Sequence, residues 1–206
     1  MAETIDYFYS HISPYAYLGH NAFMEMSRRT GVEIRFRPVN LGAVFPDTGG
    51  VPLAKRHPAR QIYRWFELQR WAEKRSVPMR FKPAHFPTDP VPSDTVAVAL
   101  IEAGIDPDPF SRLMFAACWA EDRQIADESV ISDALAKLGH DPEAFLAAAQ
   151  SDAVRAAYAA NAETAVATLA IGSPCYVRGG EPFWGQDRID LLEDAIVSGR
   201  APFGPL

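Results

Sequence analysis

Strand-like alternation of apolar and polar residues is confined to two short stretches of this chain, one near each end. Thr4 to Tyr9 is rich in β-branched and aromatic residues and predicts a strand with Ile5, Tyr7 and Tyr9 on one face. From Pro14 to about Arg29, Tyr17, Phe23, Met24 and Met26 recur as the buried stripe of a helix. Ser13 is its N-cap, Pro14 occupies the first turn, where a missing N–H costs little, and Gly31 ends it. Val32 to Arg37 alternates again, as a half-exposed strand does. At the other end, Cys175–Val177 and Glu181–Trp184 read as two strands joined through Arg178-Gly179-Gly180, and Asp187–Val197 as a closing helix.

The middle has a different pattern. Gly42 to Pro52 is turn-rich, and Lys82 to Pro92 is too dense in proline for a regular element. Helical spacing dominates the rest: Pro58–Val77, Ser93–Ala103, Pro109–Asp122, Glu128–Leu138, Pro142–Ala149 and Asp152–Leu169. Ser93 and Ser129 are the expected caps, and Pro109 and Pro142 the first-turn prolines. Trp65, Phe66 and Trp71 are read as helix-packing core. The order is therefore βαβ, a long helical stretch, then ββα. The expected division is one α/β domain from residues 1–41 and 171–206, with residues 42–170 inserted as an all-helical domain.

Composition narrows the functions. With 206 residues, 48% of them hydrophobic, the chain can bury one substantial core. The net charge of −6 and the lack of a basic run argue against nucleic acid as a partner. No apolar run approaches the roughly 18–20 residues that span a bilayer, and no basic-then-apolar leader opens the chain, so a cytoplasmic protein without a membrane partner is expected. Five scattered histidines and two distant cysteines, Cys118 and Cys175, show no metal-ligand spacing and no Cys-x-x-Cys pair. No metal is expected.

The chemistry concentrates in the two end segments. Tyr9-Ser10-His11-Ile12-Ser13-Pro14-Tyr15-Ala16-Tyr17-Leu18-Gly19 places a hydroxyl at a helix N-terminus, suited to an anion or a thiolate. Gly172-Ser173-Pro174-Cys175-Tyr176-Val177 and Phe183-Trp184-Gly185-Gln186-Asp187-Arg188 supply a second polar terminus. These segments, with Arg37-Pro38 after the second strand, resemble the DsbA-like branch of the thioredoxin fold. Within it the chain is similar to the 2-hydroxychromene-2-carboxylate isomerases and kappa-class glutathione transferases, over nearly its whole length.

That resemblance implies a thioredoxin fold (βαβ…ββα) with a helical insertion, glutathione as cofactor and a homodimer. Ser13 stands where redox relatives carry their first cysteine, and Ala16 at the second, so the usual dithiol exchange is excluded. Ser13 then acts as the catalytic residue, stabilising the thiolate of glutathione together with the helix N-terminus. Pro174 is expected to follow a cis bond, leaving the Ser173 N–H and C=O open to pair with the cofactor backbone. Trp184, Gly185, Gln186 and Asp187 complete the glutathione site, with Gln186 and Asp187 at its γ-glutamyl end. His11, Phe45, Gly50 and His85 are the expected contacts of a small aromatic substrate, the alternative for His85 being a solvated position in a turn-rich loop. The implied reaction is isomerisation: the thiolate adds to an unsaturated ring carbon, a single bond rotates, and elimination restores glutathione.

Some positions depart from the pattern. Many relatives have Asp where this chain has Ser10, and kappa-like members have Lys and Asn where it has Pro46 and Gly50. Cys175 beside Pro174 is also outside the pattern, and is either an incidental strand residue or a resolving thiol. His11 is either an acid or base beside Ser13 or a histidine held by the backbone. Arg56, Arg60 and Arg64 are read as a solvated face, the alternative being a groove wall that meets a substrate carboxylate. Competing functions are a kappa-like glutathione transferase or peroxidase and a non-catalytic glutathione-binding protein.

Overall fold

The computed structural model describes residues 3–205. Strands β1 (Thr4–Tyr9), β2 (Glu33–Pro38), β3 (Cys175–Arg178) and β4 (Glu181–Trp184) form one sheet in the order β2-β1-β3-β4. β1 is parallel to β2 and antiparallel to β3, and β3 pairs antiparallel with β4. Helix α1 (Pro14–Thr30) links β1 to β2, and α9 (Ile189–Val197) follows β4 through a 3-10 turn at Gln186–Arg188. Seven helices lie between β2 and β3: α2 (Leu41–Thr48), α3 (Pro58–Arg75), α4 (Val91–Glu102), α5 (Asp108–Trp119), α6 (Glu128–Lys137), α7 (Pro142–Ala149) and α8 (Asp152–Ala167). No strand occurs among the described residues between Pro38 and Cys175. This is the expected thioredoxin fold with its helical insertion.

β1 is central and buried on both faces. Ile5, Tyr7 and Tyr9 point into the larger core, where Tyr7 stacks on Tyr9 and Tyr176 with centroids 4.7 and 5.4 Å away. Phe8 points the other way, onto Val39, Val44, Ala165 and Cys175. The larger core continues from the sheet and α1 into α4–α8 without a break. We propose residues 42–170 as the insertion on topology, and this shared core makes it a lobe of one folding unit.

Several local expectations need correction. Residues 41–48 form a helix where turns were expected: the Asn40 side chain caps it by accepting from Gly42 N–H, and Val44 is buried against the Phe8 face. Ser93 caps nothing. α4 starts at Val91 after Pro90, and Ser93 lies buried within it. Ser129 likewise falls inside α6, whose N-cap position is Asp127. α3 turns opposite to its apolar pattern: Arg64, Leu68 and Ala72 are buried, whereas Ile62, Tyr63 and Phe66 are more than half exposed. Only Trp65 and Trp71 of the expected aromatic core pack inward, around Leu18, Leu68 and Ala72.

Candidate functional site

The site begins where β1 ends. Ser13 N–H donates to the Ser10 carbonyl at 2.9 Å, closing a turn that delivers Ser13 to the N-cap of α1. There its Oγ accepts from Ala16 N–H at 3.2 Å, satisfying one of the free amides of the first turn. Ser13 is only 5% exposed. Its hydroxyl donates to the carbonyl of Ser173 at 2.8 Å, and Ser10 N–H donates to Ser173 Oγ at 3.1 Å. The Ser173–Pro174 bond is cis. The two ends of the chain thus meet, with one difference from expectation: the Ser173 carbonyl is engaged by Ser13 and is not free. The Ser173 N–H has no partner among the described residues.

Behind this turn lies a carboxylate that sequence reasoning missed. Asp94 of α4 is fully buried. Its Oδ2 accepts from Ser10 Oγ at 2.7 Å and from Tyr158 OH at 3.0 Å, and its Oδ1 accepts from His11 N–H at 3.0 Å. His11 Nδ1 is 2.9 Å from the same oxygen and 3.1 Å from Ser93 Oγ. Burial, and then the Asp94 charge, raise the Tyr158 pKa well above the ordinary phenol range, so it stays a donor. The signal available was one acid in the apolar run Val91 to Leu100. His11 is wholly enclosed by this network and by Phe110 and Phe115. It does not face the cavity, which removes it from the expected substrate contacts and makes it part of the support.

A cavity of about 550 Å³ opens in front of Ser13. Of the expected residues, Ser13, Ser173, Trp184, Phe45 and Gly50 line it. Phe45 lies so close over Gly50 that a Cβ there would run into its ring, and a Cβ on Gly172 would meet the Trp184 indole nitrogen at 2.5 Å. Both glycines therefore allow an aromatic wall to close in. Pro174, Gly185, Gln186 and Asp187 do not line the cavity. Gln186 is buried, and Arg75 of α3 donates to its side chain at 3.3 Å and its carbonyl at 3.1 Å. Asp187 is exposed beside Arg188, at 2.5 Å. His85 is exposed and off the cavity, because its loop presents Phe86 inward. Arg56, Arg60 and Arg64 all line the cavity, Arg64 buried and Arg60 exposed, so the three form part of a groove wall and are not simply a solvated face.

Neither cysteine serves the site. Cys175 is buried in β3 between Phe8 and Trp184, and Cys118 is buried in α5. Burial pushes each thiol up to about 12. Cys175 is an incidental strand residue and no resolving thiol. A thiolate at Ser13 has to come from another molecule.

A family model described as a DSBA-like thioredoxin domain matches residues 4–197. The chain is 28% identical over 199 residues to a 2-hydroxychromene-2-carboxylate isomerase of Sphingobium xenophagum, covering 96% of this chain and 100% of that one. It is 26% identical to glutathione S-transferase kappa 1 of Caenorhabditis elegans, over 93% of this chain and 90% of the relative. Among solved structures, a 2-hydroxychromene-2-carboxylate isomerase superposes with a TM-score of 0.82 at 25% identity, over 95% of both chains.

Proposed function

The chain belongs to the DSBA-like thioredoxin family, and from that premise we propose that it is a glutathione-dependent isomerase of the 2-hydroxychromene-2-carboxylate type. The observation that carries this reading is Ser13: a hydroxyl at a helix N-terminus, beside the cis Ser173–Pro174 bond, on a cavity that no cysteine lines. The isomerase and kappa-transferase relatives support it.

The residues present suit glutathione. Ser173 lines the cavity with its N–H unpartnered, and that N–H would donate to a peptide carbonyl in the manner of an added strand. Ser13 can turn its hydroxyl from the Ser173 carbonyl to a sulfur while Ala16 N–H still holds its oxygen. Asp187, outside the cavity beside Trp184, would hold the γ-glutamyl end, with the buried Gln186 fixed behind it by Arg75, and Trp184 would cover the middle. Bound glutathione supplies a thiolate nucleophile that turns a ring double bond into a single bond able to rotate. Ser13 and the α1 N-terminus hold negative charge at the sulfur. Tyr15, Phe45 and Phe86 hold an aromatic substrate and exclude water. A homodimer belongs to the same reading, and the exposed Ile62, Tyr63 and Phe66 of α3 are apolar surface available to it.

Incubation with 2-hydroxychromene-2-carboxylate, with and without glutathione, tests the proposal by the absorbance of the trans-benzylidenepyruvate product. Conversion only with glutathione is expected. Thiol consumption without isomerisation would favour the transferase reading that the kappa relative supports.

A further inference from the structure

In a chain of net charge −6, the Ser13 cavity is lined by three arginines and by no Asp or Glu. None of Arg56, Arg60 and Arg64 pairs with a carboxylate of the described residues. Arg56 donates to the Val51 carbonyl at 2.7 Å. The Arg64 side chain makes no hydrogen bond to any described residue, although the residue is only 7% exposed. Its guanidinium is 5.4 Å from the Trp65 ring centroid and 5.6 Å from that of Phe86. Burial lowers the Arg64 pKa, but guanidinium remains charged at any ordinary pH.

A second groove, of about 870 Å³ along the β2 edge, shows the contrast. Of its three arginines, Arg35 meets Asp6 at 3.4 Å and Arg112 meets Asp108 at 2.8 Å, while Arg28 donates to the Met24 carbonyl at 3.2 Å. In the Ser13 cavity the same compensation is missing. Nearly enclosed charge without a counter-charge is costly, and like charges four residues apart on a helix repel. An anion from outside relieves both.

Arg60 and Arg64 are one turn apart on α3, about 6 Å along its axis, and Arg56 lies just ahead of the helix, at the end of the preceding 3-10 turn. One carboxylate offsets only one of these three positive charges. Tyr15, Phe45, Phe86 and Trp184 make the remaining wall aromatic. We infer that the row is a two-point anion subsite, and that the cavity takes an aromatic ligand with two acidic groups, the inner one at Arg64 and the outer one between Arg56 and Arg60. This ligand carries one acidic group more than 2-hydroxychromene-2-carboxylate, and the inference rests on the proposed function only in placing it beside a thiol at Ser13.

The test is calorimetry with three compounds of one skeleton: 4-carboxycinnamate, cinnamate and cinnamamide, carrying two, one and no negative charges. Each step down in charge should weaken binding about tenfold or more, with the dianion the most sensitive to salt. Arg64→Gln should weaken 4-carboxycinnamate about tenfold and leave cinnamamide unchanged. Should Arg64→Gln fail to fold, the wild-type series and Arg60→Gln decide. Equal affinities across the series, no binding of any member, or an indifferent Arg64→Gln overturns the inference. So does displacement of the dianion by glutathione but not by its diethyl ester, since the row would then serve the cofactor's own carboxylates. A graded series without glutathione-dependent turnover would sink the isomerase reading alone, and turnover with a flat series would sink this inference alone.

Discussion

The hydroxyl of Ser10 donates to the buried carboxylate of Asp94 at 2.7 Å, and that bond ties the turn carrying Ser13 to helix α4. Asp94 also accepts from His11 N–H and Tyr158 OH, so three donors, two from the turn after β1 and one from α8, depend on one side chain. Asp94→Ala leaves them buried without an acceptor and should cost about 3–5 kcal/mol in urea unfolding, with a smaller loss for Asp94→Asn. A loss below about 1 kcal/mol would show that the network is not a support.

Ser13→Ala should fold with a loss of about 1 kcal/mol, the usual value of an N-cap. It should still bind glutathione. Turnover should fall about 10- to 150-fold, because one hydrogen bond to a charged group, about 1.5–3 kcal/mol, is removed. Unchanged turnover would reduce Ser13 to a helix cap. Ser13→Cys should not create dithiol oxidoreductase activity, since Ala16 offers no thiol and Cys175 is enclosed.

Asp187→Ala tests the outer end of the proposed glutathione site. Calorimetry should show weaker glutathione binding in the variant. Equal affinity would limit Asp187 to its exposed pairing with Arg188.

The cysteines make a pH prediction. Their folded pKa values of about 12 lie above an unfolded value of about 8.5. In that interval the folded protein binds more protons than the unfolded chain, so stability falls as pH rises. The contribution is fully present below about pH 8.5 and is lost on the way to 12. The urea midpoint should decline over this range, and a thiol reagent at pH 8 should find neither cysteine until the protein unfolds. Rapid labelling of Cys175 in the native protein would revive it as a resolving thiol.

Trp184 is 52% exposed and lines the Ser13 cavity, whereas Trp119 is fully buried. Ligand binding should therefore change tryptophan emission through Trp184. Trp184→Phe should abolish most of the response while calorimetry still records binding. A full response in that variant would move the ligand away from Trp184, toward Trp65 beside Arg64.

The parts of this molecule legible in its sequence are those with local causes. β1 and α1 were readable because Ser13, Pro14 and Gly31 mark a start and a stop within one segment, and Cys175 to Trp184 because a Gly-Gly turn separates two strand-like runs. Helix α2 was not, since its cause is distant: Val44 packs beneath the sheet while Pro46 and Gly42 speak locally for turns. α4 misled for a different reason. Its residues Ser93 to Leu100 are all buried, so no periodic face distinguishes a cap from a core position. On α3 Arg64 is buried beside Leu68 and Ala72 while Ile62 and Phe66 are exposed, which hydrophobicity does not predict: Arg64 lines the Ser13 cavity and its two apolar neighbours do not. Asp94 was hidden because its partners Ser10 and His11 lie 84 and 83 positions away.

The bond between Ser13 and Ser173 spans 160 positions of the chain. Translation at about 5–20 residues per second separates the appearance of these two residues by roughly 8–32 s. During that time a nascent chain already carries the capped helix and its serine, yet has nothing opposite them. The pairing of the two serines is therefore the last contact of this turn to become possible. A chain broken between residues 31 and 172 would keep Ser13 and helix α1 but lack the Ser173 carbonyl that meets them.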